Sequence, residues 1–164
     1  MAPTRWTTSL IVPAAGLTLL LLPARLALWS SGPVRVNEVE TLDDAVAVCR
    51  RTGLYGWEMI TFAQSLVYRK FTVYSCRNLW DTPSHAFRRG MGYCTQYNLA
   101  LKQLLDRLGI ETQAVFSLQV SVHDRPDWTM GHTWLRVRIE DEWRVVCAGH
   151  PDNLPGQVNF RPIA

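Results

Sequence analysis

From Cys94 to Leu108 apolar residues recur at helical spacing, and from Ala114 to Val122 they recur at every second position. That change of period constrains the fold more than any other feature of the chain. Tyr97, Leu101, Leu104, Leu105 and Leu108 make one stripe, with Lys102, Gln103, Asp106 and Arg107 on the other side, which is the pattern of an amphipathic helix. Gly109 supplies its stop. Ala114, Phe116, Leu118, Val120 and Val122 then alternate with Gln113, Ser117, Gln119 and Ser121, which predicts a strand with one face buried. A loop holding Asp124, Pro126 and Asp127 follows. Thr133, Leu135, Val137 and Ile139 alternate in a second strand that His132 opens, and Glu140-Asp141-Glu142 predicts a tight turn into a third, Trp143 to Cys147.

The stretch before Cys94 reads as helical. Thr41 ahead of Leu42-Asp43-Asp44 is an N-cap with acids in the first turn, where they meet the positive end of the helix dipole. That helix is expected to run to about Arg51, with Gly53 as its stop. A second begins near Gly56 and continues through Phe71, with Ile60, Ala63, Val67 and Phe71 on one face. Asp81-Thr82-Pro83 opens a short third helix that ends at Gly90 and Gly92. Helices first and antiparallel strands afterwards predict an α+β domain. No internal repeat or low-complexity segment is visible.

Residues 1–33 differ in composition from the rest. Leu10 to Ala24 reads LIVPAAGLTLLLLPA, and after Arg25 the apolar run resumes to Trp29. About twenty residues is close to the length that crosses a bilayer. A membrane-spanning or signal-anchor helix, a cleaved signal peptide, and a helix lying on the membrane or on the domain all remain open. Pro13, Pro23 and Arg25 count against the first, and the lack of a small-x-small cleavage site against the second. The expected organisation is an apolar segment over 1–33 and one domain over 34–164. Membrane association through that segment, on an unassigned side, is the first expectation, and a soluble cytoplasmic protein the second. A domain of about 130 residues can bury a core without disulfide support. Cys49, Cys76, Cys94 and Cys147 form no CxxC pair, so free thiols are expected. The net charge is +3, from scattered pairs such as Arg50-Arg51 and Arg88-Arg89. No basic stripe carries stacking aromatics, so nucleic acid is not an expected partner.

Two residues carry the chemistry. Cys94 starts the strongest helix, where unpaired backbone N–H groups and the helix dipole favour a thiolate and can hold an oxyanion. A small buried hydrophobe is the competing reading of a free cysteine. His132 opens a strand after Gly131, on the face opposite Leu135 and Val137. From there an imidazole can meet a helix terminus as a general base.

These residues resemble a family. Gly92-Tyr93-Cys94-Thr95-Gln96-Tyr97-Asn98, followed by LALKQLLDRLGIETQAVFSL, resembles the nucleophile helix and first strand of transglutaminase-like domains. There a G-x-C opens the helix, and a leucine-rich run ends in L-G-I before a strand. His132-Thr133-Trp134, a short turn and Trp143 resemble their H-A-W…W segment. Arg89-Gly90, Tyr93-Cys94, Gln96 and Asn98 are also similar to arylamine N-acetyltransferases, with one residue inserted. The resemblance covers roughly Leu54 to Asn153. It implies a papain-like α+β fold in which N-terminal helices and the nucleophile helix pack on a small antiparallel sheet. It further implies a Cys–His–Asp triad with Cys94 as nucleophile and His132 as base, forming a thioester with an amide or acyl donor. Hydrolysis or transfer then follows on a peptide or small-molecule substrate, with no cofactor.

One position departs from the pattern. The family's acid lies about four residues after the strand tryptophan, where this chain has Cys147 in VVCAGH. Losing the orienting carboxylate typically costs a serine-triad enzyme about four orders of magnitude. Asp152 or Asn153 is expected to substitute from the following loop, since an Asn orients the histidine in papain-like enzymes. A non-catalytic binding or assembly module of the same fold is the alternative. It could carry a metal on Cys94, His132, Cys147 and His150, because two thiolates and two imidazoles suit tetrahedral zinc.

Overall fold

Thr41 caps the first helix reciprocally: its hydroxyl accepts from Asp44 N–H while the Asp44 carboxylate accepts from Thr41 N–H at 2.8 Å. The helix so fixed, α1, runs Leu42–Arg51, as its sequence predicts. The computed structural model describes residues 38–163, apart from the side chains of residues 125–128. The apolar segment and the boundary expected after residue 33 lie outside the described residues. Helix α2 spans Gly56–Lys70 and buries Ile60, Ala63 and Val67 completely. A two-residue strand β1 (Val73–Tyr74) leads to α3 (Pro83–Arg89), with Thr82 as N-cap and Pro83 in the first turn. Gly90 ends α3 at φ 65°, and a Cβ there would lie 2.8 Å from the Lys70 carbonyl oxygen. Only glycine makes that turn and approach without strain. Strand β2 (Met91–Gly92) then pairs in parallel with β1 and delivers the chain to α4, Cys94–Arg107.

Four antiparallel strands follow: β3 (Glu111–Val122), β4 (Arg125–Ile139), β5 (Glu142–Val146) and β6 (Phe160–Pro162), in the order β5-β4-β3-β6. The core lies between helices and sheet. Leu101, Leu104 and Leu105 of α4 are fully buried, as are Leu135 and Val137 of β4 and Val146 of β5. Among the described residues no helix is long and apolar enough to cross a membrane.

Two sheet expectations need correction. First, β4 begins at Arg125, so the backbone over residues 125–131, expected as a loop, is strand. The turn is confined to His123 and Asp124. Second, the apolar face of β3 is not uniformly inside. Phe116 pairs with Thr133 and Ala114 with Leu135, so each pair shares a face of the sheet. Thr133 and Leu135 are buried, yet Ala114 is exposed, Phe116 is 63% exposed and Leu118 79%. Hydrogen bonds from α4 reach the central strand at Thr133. Strand β6 joins β3 at Val120, Ser121 and Val122, so the first half of β3 is left at the sheet edge. A bulge between Ser117 and Val120 shifts the phase of β3 by one residue, and Val120 is buried.

Candidate active site

Asn98 holds the site together. One turn after Cys94 on α4 and fully buried, it donates through Nδ2 to the carbonyl oxygens of Cys94 (3.1 Å) and Thr133 (2.6 Å). The same nitrogen lies 3.5 Å from Cys147 Sγ, and Asn98 Oδ1 accepts from Ala148 N–H at 3.0 Å. One amide therefore connects the helix start, the second residue of the His132-Thr133 pair, and the chain leaving β5. Thr95 Oγ1 and Thr133 Oγ1 add a hydrogen bond of 2.9 Å. Since Cys94 precedes Thr95 and His132 precedes Thr133, these bonds fix the first turn of α4 against the middle of β4, where His132 lies. Gly149 allows the close approach: a Cβ there would fall 2.5 Å from Tyr97 Oη and 3.3 Å from Cys147 Sγ.

The start of α4 is itself secured. Gln96 accepts from Tyr93 N–H at 3.2 Å and donates to the carbonyl oxygens of Asn78 (2.6 Å) and Asp81 (3.1 Å). A Cβ on Gly92 would strike the Gln96 side chain at 2.7 Å. The segment before α3 is thus bound to the turn that presents Cys94. Helix geometry leaves the N–H groups of the first turn without intrahelical acceptors.

His132 Nε2 lies 3.4 Å from Cys147 Sγ. The imidazole is 8% exposed, with Phe160 edge-on at 4.6 Å between ring centroids and Trp134 stacked at 6.2 Å. Burial lowers its pKa from 6.5 to about 4, so the ring is neutral at pH 7. Cys147 is 1% exposed, and burial pushes its thiol up to about 11 against the hydrogen bond from Asn98. The partner of the imidazole is therefore a neutral thiol. Burial, reinforced by Cys147 and Cys94, also raises the Tyr97 hydroxyl above its usual range. Cys94 is 6% exposed.

Asp152 and Asn153, expected to face His132, are placed otherwise. The Asp152 carboxylate is 88% exposed, 3.7 Å from His150 Nδ1. Asn153 is buried, donates from Nδ2 to the Cys147 carbonyl at 3.1 Å, and accepts from Asn159 N–H at 2.9 Å. Its own carbonyl accepts from the Gln64 amide of α2. Asn153 thus supports Cys147, and Cys147 contacts the histidine. Among the described residues, no three or more His, Cys, Asp or Glu side chains form a group that could hold a metal ion, which leaves the four-ligand zinc alternative without a site. All four cysteines are free: Cys49 is buried in α1, and Cys76 is exposed.

A cavity of about 510 Å³ opens beside this cluster, bordered by His132, Cys147, Tyr74 and Tyr97. Cys94 does not line it; the cavity meets the other two members.

No family model matches the chain, and no curated protein does. Among solved structures, a transglutaminase superposes with a TM-score of 0.52 over 80% of this chain, at 9% identity. The fold is transglutaminase-like. A candidate cysteine protease from Cytophaga hutchinsonii is similar over 76% of this chain, with a TM-score of 0.48 and 14% identity. The chain spans 37% and 44% of the lengths of these two structures. Identity this low concerns the fold alone.

Sequence reasoning named Asn98 only as part of a motif. Its role depends on three segments meeting at one amide. A polar residue on the helix face bearing Leu101 and Leu105 is the signal that could have found it, since buried amides need partners.

Proposed function

We propose that the chain is a transglutaminase-like cysteine enzyme that forms a thioester at Cys94 with an amide or acyl donor. The observation that carries this reading is the pair of bonds from Asn98 and Thr95 to Thr133, which seat the start of α4 beside the part of β4 that carries His132. In the reaction, Cys94 Sγ attacks the donor carbonyl carbon while His132 accepts the thiol proton. N–H groups at the start of α4 stabilise the oxyanion. Collapse of that intermediate breaks the bond to the leaving amine or alkoxide, which takes the proton from His132. Water or an acceptor nucleophile then attacks the thioester, its proton passes to His132, and the thiol is regenerated. Cys147 holds the imidazole through Nε2, in the place of the usual carboxylate.

Incubation with p-nitrophenyl acetate, read by intact-mass and peptide mass spectrometry, should place one acetyl group on Cys94 and none on Cys94→Ala. Equal modification of Cys49 or Cys76, or no adduct, counts against the reading. A non-catalytic module of the same fold is the second reading, favoured by the neutral thiol opposite His132. Leu10–Trp29 supports membrane association of either kind of protein.

A further inference from the structure

About 510 Å³ of space lies beside His132, and much of its wall is apolar. Val120 and Val122 of β3, Met130 of β4 and Phe160 of β6 line it with the His132 ring and the Cys147 thiol. Among the described residues no Lys, Arg, Asp or Glu contributes to its lining, and burial keeps His132 neutral. The bulge in β3 is responsible for part of this character. Ser117 pairs with His132, and two residues further along β4 an unbroken ladder would set Gln119 opposite Met130. The extra residue sets Val120 there instead, and directly opposed residues share a face. Gln119 is exposed and Val120 is 1% exposed. One inserted residue has exchanged an amide for an isopropyl group in the cavity wall.

The space falls within the range of about 300–1,000 Å³ that encloses small-molecule ligands. An acetyl group fills little of it. A charged chain would lose its hydration there and meet no charged side chain among the described lining residues.

We propose that this cavity binds the aliphatic chain of the acyl donor, so that the substrate class is an amide or ester of a medium-chain fatty acid. The fate of the carbonyl rests on the Cys94–His132 thioester reading; the binding of the chain does not. Titration calorimetry of the full-length protein with acetamide, butanamide, hexanamide and octanamide tests it. Each buried methylene contributes about 0.8 kcal/mol, so Kd should fall up to about fourfold per carbon added. Met130→Trp, which fills the cavity, and Val122→Asn, which makes its wall polar, should each flatten that dependence. Val122 lies in a partly exposed position, and circular dichroism checks that both variants are folded. A Kd independent of chain length overturns the proposal. So does a dependence that survives in both folded variants, because the chain then binds elsewhere. Steep dependence with no acylation of Cys94 by any donor keeps the acyl site and removes the thioester reading. Acetylation of Cys94 together with flat amide binding does the reverse.

Discussion

His132 faces a thiol where a transglutaminase-like triad has a carboxylate, and the difference has consequences for its titration. The ring is neutral and buried, with its pKa lowered to about 4 by burial. As pH falls from 7, the unfolded chain takes up this proton first, near 6.5. Stability from the neutral imidazole is therefore complete above about pH 6.5 and is lost as pH falls toward 4, by up to about 3 kcal/mol. The urea midpoint should drop across that window, and His132→Gln should shrink the drop. An unchanged pH profile in the variant would mean that other groups set the acid sensitivity. Cys147→Asp tests the same contact chemically. A carboxylate beside Nε2 favours the imidazolium and hence a thiolate–imidazolium pair. Iodoacetamide should then label Cys94 about tenfold faster or more at mildly acidic pH, at some loss of stability from a buried acid. If labelling does not rise, the non-catalytic reading gains. Cys49 offers no such handle, because burial alone raises its thiol to about 11.

At the scale of elements, α4 and β4 are held in register by buried hydrogen bonds as well as by leucines. Asn98→Ala removes donors to Thr133 O and Cys94 O and the acceptor of Ala148 N–H, leaving buried groups unpaired beside a small void. A loss of about 2–4 kcal/mol is expected, measured as a shift of the urea midpoint. Asn98→Asp should not rescue it, because a second oxygen cannot donate to Thr133 O. A loss below about 0.5 kcal/mol would show that the amide does not tie the elements together. Helices α1 and α3 are readable because they carry their own punctuation, and α2, which lacks a side-chain cap, from its apolar period. Thr41 and Asp44 close a capping box, Pro83 sits in a first turn, and Gly90 adopts φ 65°. The strands were less readable. The alternation of Ala114, Phe116 and Leu118 is that of a half-buried strand, but burial depends on what lies over the sheet. Among the described residues nothing pairs with the first half of the β6-side edge of β3. Strand β6 and the pair β1–β2 are too short to leave a periodic signal.

At the scale of the whole molecule, the described domain and the apolar segment before it make separate contributions. Full-length protein should sediment with membranes and resist a high-salt wash, because Leu10–Trp29 supplies apolar area, which salt does not screen. Removal of residues 1–33 should release a folded domain to the supernatant; full-length protein in the supernatant would end the membrane reading. Within the domain, the sequence by itself determined the helices, the α+β order and the expectation of Cys94 and His132 as partners. Helix caps and hydrophobic period act between neighbours in the chain, so they are written locally. Only the tertiary structure decided what faces His132. Cys147, Asp152 and Asn153 all lie within reach of such a role in sequence, and their side chains diverge: one to the imidazole, one to solvent, one to the backbone behind the thiol. It also decided that a bulge would turn Val120 toward Met130. Register and loop direction follow from packing among segments far apart in the chain, and local periodicity carries no record of them.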